Sequence, residues 1–243
     1  MADYLIRDGK PSLAYHHRPG TGPTIVFLPG YMSDMNGGKA LALEAWAMAR
    51  GHAMLRLDYA GCGESEGVFA EQTLASWHED VLGLIDNVTV GPLVLVGSSM
   101  GGWQMLLAAV ARPDRVAGLV GIAAAPDFTE WGFDDAMRQT LAEDGLLVEE
   151  SPYSPTPMIT TLPLWQSGQA LLLLDDEIAY DGPVRLLHGL DDPDVPPSIS
   201  FRLGRALRSD DVQTILVKGG DHRLSRPQDL DLLVQTVARL IES

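Results

Sequence analysis

Near the middle of the chain, Gly97-Ser98-Ser99-Met100-Gly101 sets a serine between glycines two residues before it and two after it. The continuous apolar run 93–96 leads into it, and residues 100–111 behind it carry a helical pattern that stops before Pro113. A serine at such a strand-to-helix turn adopts a strained backbone, and side chains at the two glycine positions would collide. The turn lifts the hydroxyl above the strand ends, and the following helix points its positive end at a developing oxyanion. A bare G-x-S-x-G arises easily by chance. The strand–helix context is what marks Ser99 as a nucleophile, with Ser98 the variable residue of the motif.

A serine nucleophile needs a base, and the base needs an acid. Among the recurring chain orders of such triads, serine–acid–histidine places the histidine in a late loop before the last helix. Asp221-His222 stands there, after the β-type run 212–218 and Gly219-Gly220. His188 precedes Gly189 at a strand end, and His52 and His78 sit at element edges without a partner motif. The segment 186–196 offers Asp191, Asp192 and Asp194 as the acid, and Asp127 is a further candidate. Its task is to hold the histidine tautomer and stabilise the imidazolium; carboxylates this close also raise one another's pKa values. Two backbone N–H groups must meet the oxyanion. Met100 supplies one, and Tyr31, in the loop Leu28-Pro29-Gly30-Tyr31-Met32 after an early apolar strand, supplies the other.

These residues need a frame. Short β-branched or Leu-rich runs at 24–28, 52–59, 93–96, 116–124, 183–188 and 212–218 alternate with helical patterns at 39–50, 73–88, 100–111, 198–209 and 225–241. That alternation predicts an α/β fold, a mostly parallel twisted sheet flanked by helices, with a hairpin at 4–15 turning about Asp8-Gly9. Ser225 and Pro227 read as the start of the last helix. The rhythm breaks over 126–181, which holds prolines at 152, 155, 157 and 163 among large apolar residues. This stretch is too long for a loop and too apolar for disorder. It is expected to be a small helical cap within one domain of 243 residues. Trp131, Phe133, Met158 and Trp165 of the cap, with Tyr31 and Trp103, would line an acyl pocket; the alternative is that the cap residues form the insertion's own core.

Composition excludes other classes. Seventeen Lys and Arg against thirty-three Asp and Glu leave a net charge of −16, which repels nucleic acids and anionic membranes. One cysteine, Cys62, permits no internal disulfide and no CxxC knuckle, and no metal site or cofactor is expected. Gly61-Cys62-Gly63 begins a dinucleotide-like G-x-G-x-x-G but meets Glu66 where the third glycine belongs. The N-terminus lacks the apolar region of a secretory signal, and no run reaches the ~18 apolar residues of a membrane span, so a cytoplasmic protein is expected.

With these residues placed, the chain resembles the α/β-hydrolase superfamily. More closely, it resembles the subfamily of mitochondrial palmitoyl-protein thioesterase, also described as mycophenolic acid acyl-glucuronide esterase. The words that carry the resemblance are Phe27-Leu28-Pro29-Gly30-Tyr31-Met32-Ser33, Asp58-Tyr59-Ala60-Gly61, Val96-Gly97-Ser98-Ser99-Met100-Gly101-Gly102-Trp103, Arg185-Leu186-Leu187-His188-Gly189 and Asp221-His222-Arg223. The H-G-x-x-D-x-x-V-P registry of these hydrolases selects Asp192, so the resemblance implies a Ser99–Asp192–His222 triad. It implies cleavage of small-molecule or protein-linked acyl esters or thioesters through an acyl-enzyme, by a monomer or homodimer. The same fold also hosts cofactor-free C–C hydrolases, perhydrolases and non-catalytic binding proteins.

Overall fold

The computed structural model describes residues 1–151 and 154–242. Strands β1 (Asp3–Arg7) and β2 (Lys10–Arg18) form the expected hairpin, with Gly9 at φ 66° in its turn. They are followed by β3 (Thr21–Leu28), α1 (Gly38–Arg50), β4 (His52–Leu57) and α2 (Leu74–Val88). Next come β5 (Leu93–Ser98), α3 (Met100–Ala111) and β6 (Val116–Ile122). After the insertion, β9 (Val184–Gly189), α7 (Ser198–Ala206), β10 (Val212–Val217) and α8 (Pro227–Ile241) complete the chain. The eight-stranded sheet runs β1-β2-β4-β3-β5-β6-β9-β10. Its strands are parallel from β4 to β10, and β1 and β2 are antiparallel additions at one edge.

The sheet has two apolar faces because its side chains alternate with period two. Val26, Leu28, Leu93 and Leu95 pack with α2 and α3, whereas Ile25, Phe27, Val94 and Val96 pack with α1 and α8. The order reverses between β3 and β5. Chain ends diverge there and leave a crevice at the carboxyl ends of the strands, the usual ligand position in open α/β sheets.

The insertion departs from the helical expectation. Between α4 (Phe128–Trp131), α5 (Asp135–Asp144) and α6 (Leu162–Gln169) lies a two-stranded antiparallel ribbon of β7 (Leu146–Glu149) and β8 (Met158–Thr161). Val148, Ile159, Thr160 and Thr161 favour extended chain, and the prolines at 155 and 157 exclude helix between the strands. Pro152 lies outside the described residues. Both ends of the cap are tied to one buried carboxylate, as Asp127 accepts N–H bonds from Leu173 (2.9 Å) and Leu174 (2.7 Å).

The last helix starts at Pro227, as expected, but Arg226 and not Ser225 is its N-cap, and Asp229 closes the box on it; Ser225 lies one residue before the cap, its hydroxyl donating to Arg223 O at 3.0 Å.

Candidate active site

Ser99 sits between β5 and α3 at φ 54°, ψ −121°, a region a residue with a Cβ seldom occupies. Its backbone is fixed on both sides. Its N–H donates to Ile122 O (2.9 Å), and its carbonyl accepts from Gly102 (2.8 Å) and Ala125 (3.0 Å). A Cβ at position 97 would lie 2.3 Å from Gly101 O, and one at position 101 would lie 2.1 Å from Leu28 O. Both glycines of the motif are therefore steric requirements of the turn.

The late loops bring two more side chains to this point. His222 Nε2 is 3.1 Å from Ser99 Oγ, and His222 Nδ1 is 2.9 Å from Asp192 Oδ2. Asp192, not Asp191 or Asp194, is the aspartate facing Nδ1, with its side chain fully buried. Its other oxygen accepts the N–H groups of Asp194 and Val195, both at 2.9 Å. Burial works against the charge, but hydrogen bonds from His188, His222 and the Val195 amide hold the Asp192 carboxyl well below the usual carboxylate range. The repulsive rise expected from three neighbouring aspartates does not prevail at Asp192, because donors outnumber charges around it. Asp127 stands elsewhere, as the anchor of the cap.

The loop that carries His222 is held from α1. Lys39 Nζ donates to Arg223 O at 2.5 Å, and burial, with Arg223 nearby, pushes the Lys39 amine down to about 8.

Gly30 places the Tyr31 loop against the nucleophile, since a Cβ there would be 3.3 Å from Ser99 Cβ. The Tyr31 ring packs edge-on to Phe69 and Trp77, with centroids at 5.3 and 5.8 Å, and leans on Phe128 of the cap at 6.1 Å. Its hydroxyl donates to Ile159 O in β8. Burial pushes this phenol far up, so it remains a donor.

The remaining residues expected to bind substrate divide. Trp103 is fully buried, its indole N–H donating to Leu171 O (3.1 Å) and its ring edge-on to Phe128 at 5.5 Å. It is a support beneath the site and presents no open face to a substrate. Trp131 and Trp165 are half-buried, and their N–H groups are spent within the cap, on Pro126 O (2.7 Å) and Thr129 O (2.9 Å). Phe133 is buried and Met158 half-buried. Sequence reasoning missed Phe128 and Phe69, two of the aromatic neighbours of Tyr31, and it dismissed His188. Burial pushes the Cys62 thiol up to about 12, which makes it a poor nucleophile. Asp192, Asp194 and His222 could meet at one ion, but Asp192 and His222 already face each other in the serine line.

A family model described as serine aminopeptidase, S33 (Hydrolase_4) matches residues 21–161. The human mitochondrial palmitoyl-protein thioesterase ABHD10 is 40% identical over 98% of this chain and 79% of its own length. The structure of mouse α/β hydrolase domain-containing protein 10 superposes with a TM-score of 0.93 at 39% identity, covering 100% of this chain and 98% of that one. A putative hydrolase from Agrobacterium vitis gives 0.92 at 39% identity, covering 99% and 98%.

Proposed function

Because this chain belongs to the α/β-hydrolase superfamily, in the family described as serine aminopeptidase, S33, we propose that it is a serine esterase or thioesterase working through an acyl-enzyme on Ser99. The observation that carries this reading is the continuous line from Ser99 Oγ through His222 to the buried Asp192 carboxylate. In this mechanism, His222 Nε2 takes the Ser99 proton as Oγ bonds to the acyl carbon. The oxyanion that forms is met by the N–H groups of Met100 and Tyr31. The imidazolium, stabilised by Asp192, returns the proton to the departing thiolate or alkoxide. Water then repeats the cycle on the acyl-serine and frees the acid. The name of the human relative favours thioesters of long acyl chains as substrates. Among the described residues, no helix is long and apolar enough to cross a membrane. The acidic composition suits an aqueous compartment such as the cytoplasm, although the human relative is named mitochondrial.

The test is a series of acyl esters and matching thioesters from acetyl to palmitoyl. If the half-buried cap residues Trp131, Met158 and Trp165 form an apolar wall beside Tyr31, each CH₂ buried is worth up to about 0.8 kcal/mol. That is about a fourfold gain in kcat/KM per carbon until the wall ends, so kcat/KM should climb to at least octanoyl on both substrate types. A maximum at acetyl with collapse beyond butyryl rejects the long-acyl reading.

The pH profile gives a second check. kcat/KM should rise with pH until His222 is neutral, since only the neutral ring accepts the serine proton. Asp192, held low, adds no limb of its own. Above about pH 8 the Lys39 amine loses the charge that holds Arg223 O, and a shallow decline is expected. In Lys39→Arg, which keeps its charge, the decline should move beyond pH 9 in a stopped assay. A profile unchanged by that substitution removes Lys39 from the account.

A further inference from the structure

His188, the last residue but one of β9, is fully buried and in contact with the triad's acid. Its Nε2 lies 2.8 Å from Val195 O and 3.3 Å from Asp192 Oδ2, and its Nδ1 lies 2.6 Å from Ser200 Oγ on α7. A carbonyl only accepts, so Nε2 carries a proton, which it shares between Val195 O and the carboxylate. In the neutral ring, Nδ1 then accepts the Ser200 hydroxyl proton. Asp192 is left with four donors on its two oxygens: two backbone N–H groups on Oδ1, and two histidines on Oδ2. All the lone-pair directions of a carboxylate are occupied, and water is excluded from its side chain.

We propose that His188 is a positioning residue for the hydrolytic reaction, one that fixes the rotation of the Asp192 carboxylate and withdraws part of the charge Oδ2 offers to His222. The proposal rests on the serine-hydrolase reading above. Without His188, Oδ1 stays pinned by the Asp194 and Val195 amides while Oδ2 swings about that hinge. His222 then loses alignment, but the oxygen it faces becomes more basic and stabilises the imidazolium more strongly. A residue that merely packed beneath Asp192 would withdraw no charge from Oδ2, so its removal would cost alignment alone and the imidazolium would gain no stabilisation. Among the described residues, other charged groups around the His222 loop include Asp194 beside Asp192, Asp221 and Arg223 on its own loop, and Lys39 from α1. None of them changes in the variants below.

The experiment compares His188→Phe, which removes both ring nitrogens, with His188→Gln, whose amide can reach the Nε2 position. His188→Phe is expected to lower kcat about tenfold with KM little changed, and to move the acid limb of the kcat/KM profile upward by about half a pH unit. His188→Gln is expected to stay within about threefold of wild type, with the limb restored. An acid limb that stays or moves down in His188→Phe, or an unchanged kcat, overturns the proposal. A wild-type measurement covers the case in which the Phe variant fails to fold. Nitrogen NMR of histidine-labelled protein should show the proton of His188 on Nε2, and a proton confined to Nδ1 overturns the proposal. Wild-type protein that no serine-directed fluorophosphonate labels would sink the serine-hydrolase reading instead, and the NMR result would still stand.

Discussion

Ser99→Ala should abolish labelling by a fluorophosphonate and reduce kcat by about five to six orders of magnitude, leaving a folded protein. The size follows from triads acting as a unit, in which losing the nucleophile costs about as much as losing all three members. What remains is the contribution of the oxyanion donors and of binding. The fold survives because, among the described residues, Oγ makes one hydrogen bond, with His222, while the Ser99 backbone is held by Ile122, Gly102 and Ala125. A companion variant separates chemistry from strain. Ser99→Gly removes the Cβ from a conformation at φ 54° that costs an L-residue about 1–3 kcal/mol. Its inactive product should melt at least as high as Ser99→Ala, despite the greater chain entropy of glycine. If Ser99→Ala keeps its label, the nucleophile is elsewhere.

Asp192→Asn should cost about a thousand- to ten-thousandfold in kcat, with KM little affected. An amide that turns its NH₂ toward His222 Nδ1 forces the wrong tautomer, and Nε2 then carries a proton where it must accept one. The four donors around Asp192 sharpen the effect, since an amide oxygen cannot serve two backbone N–H groups and two histidines together. Asp191→Asn is the control. That residue is exposed, its backbone N–H donates to Gly220 O, and its loss should cost less than about threefold. A crippling Asp194→Asn with a mild Asp192→Asn would shift the acid to the neighbouring turn and invalidate the assignment.

The sheet and its helices were legible because local pattern and global fold agree there. Strands buried on both faces read as unbroken apolar runs, and α2 shows both its apolar face and its Thr73 cap. Ser99 and His222 were legible for a related reason: their positions follow from a turn motif and from chain order. The cap ribbon was not, because four-residue strands separated by a proline-rich stretch leave no periodicity to detect. Trp103 misled because α3 is apolar on every side, sandwiched between the sheet and α2, so its pattern does not say which face meets the site. His188 looked idle because its partners on the acid loop and α7 are brought to it only by the tertiary fold. The bond from Tyr31 to Ile159 spans 128 positions and has no local signal at all.

That bond has an evolutionary consequence. Caps on such sheets are commonly regarded as exchangeable modules, retailored for new substrates while the catalytic floor stays constant. Here the residue assigned to the oxyanion also grips the ribbon through its own side chain, and its ring leans on the first cap helix. A chimera carrying a foreign cap would lose both supports at once. Its turnover number would fall along with its substrate range, and recovering it would call for compensating changes at Tyr31 and its neighbours. Lineages with this arrangement are therefore expected to diversify by substitutions within the cap, rather than by replacing it.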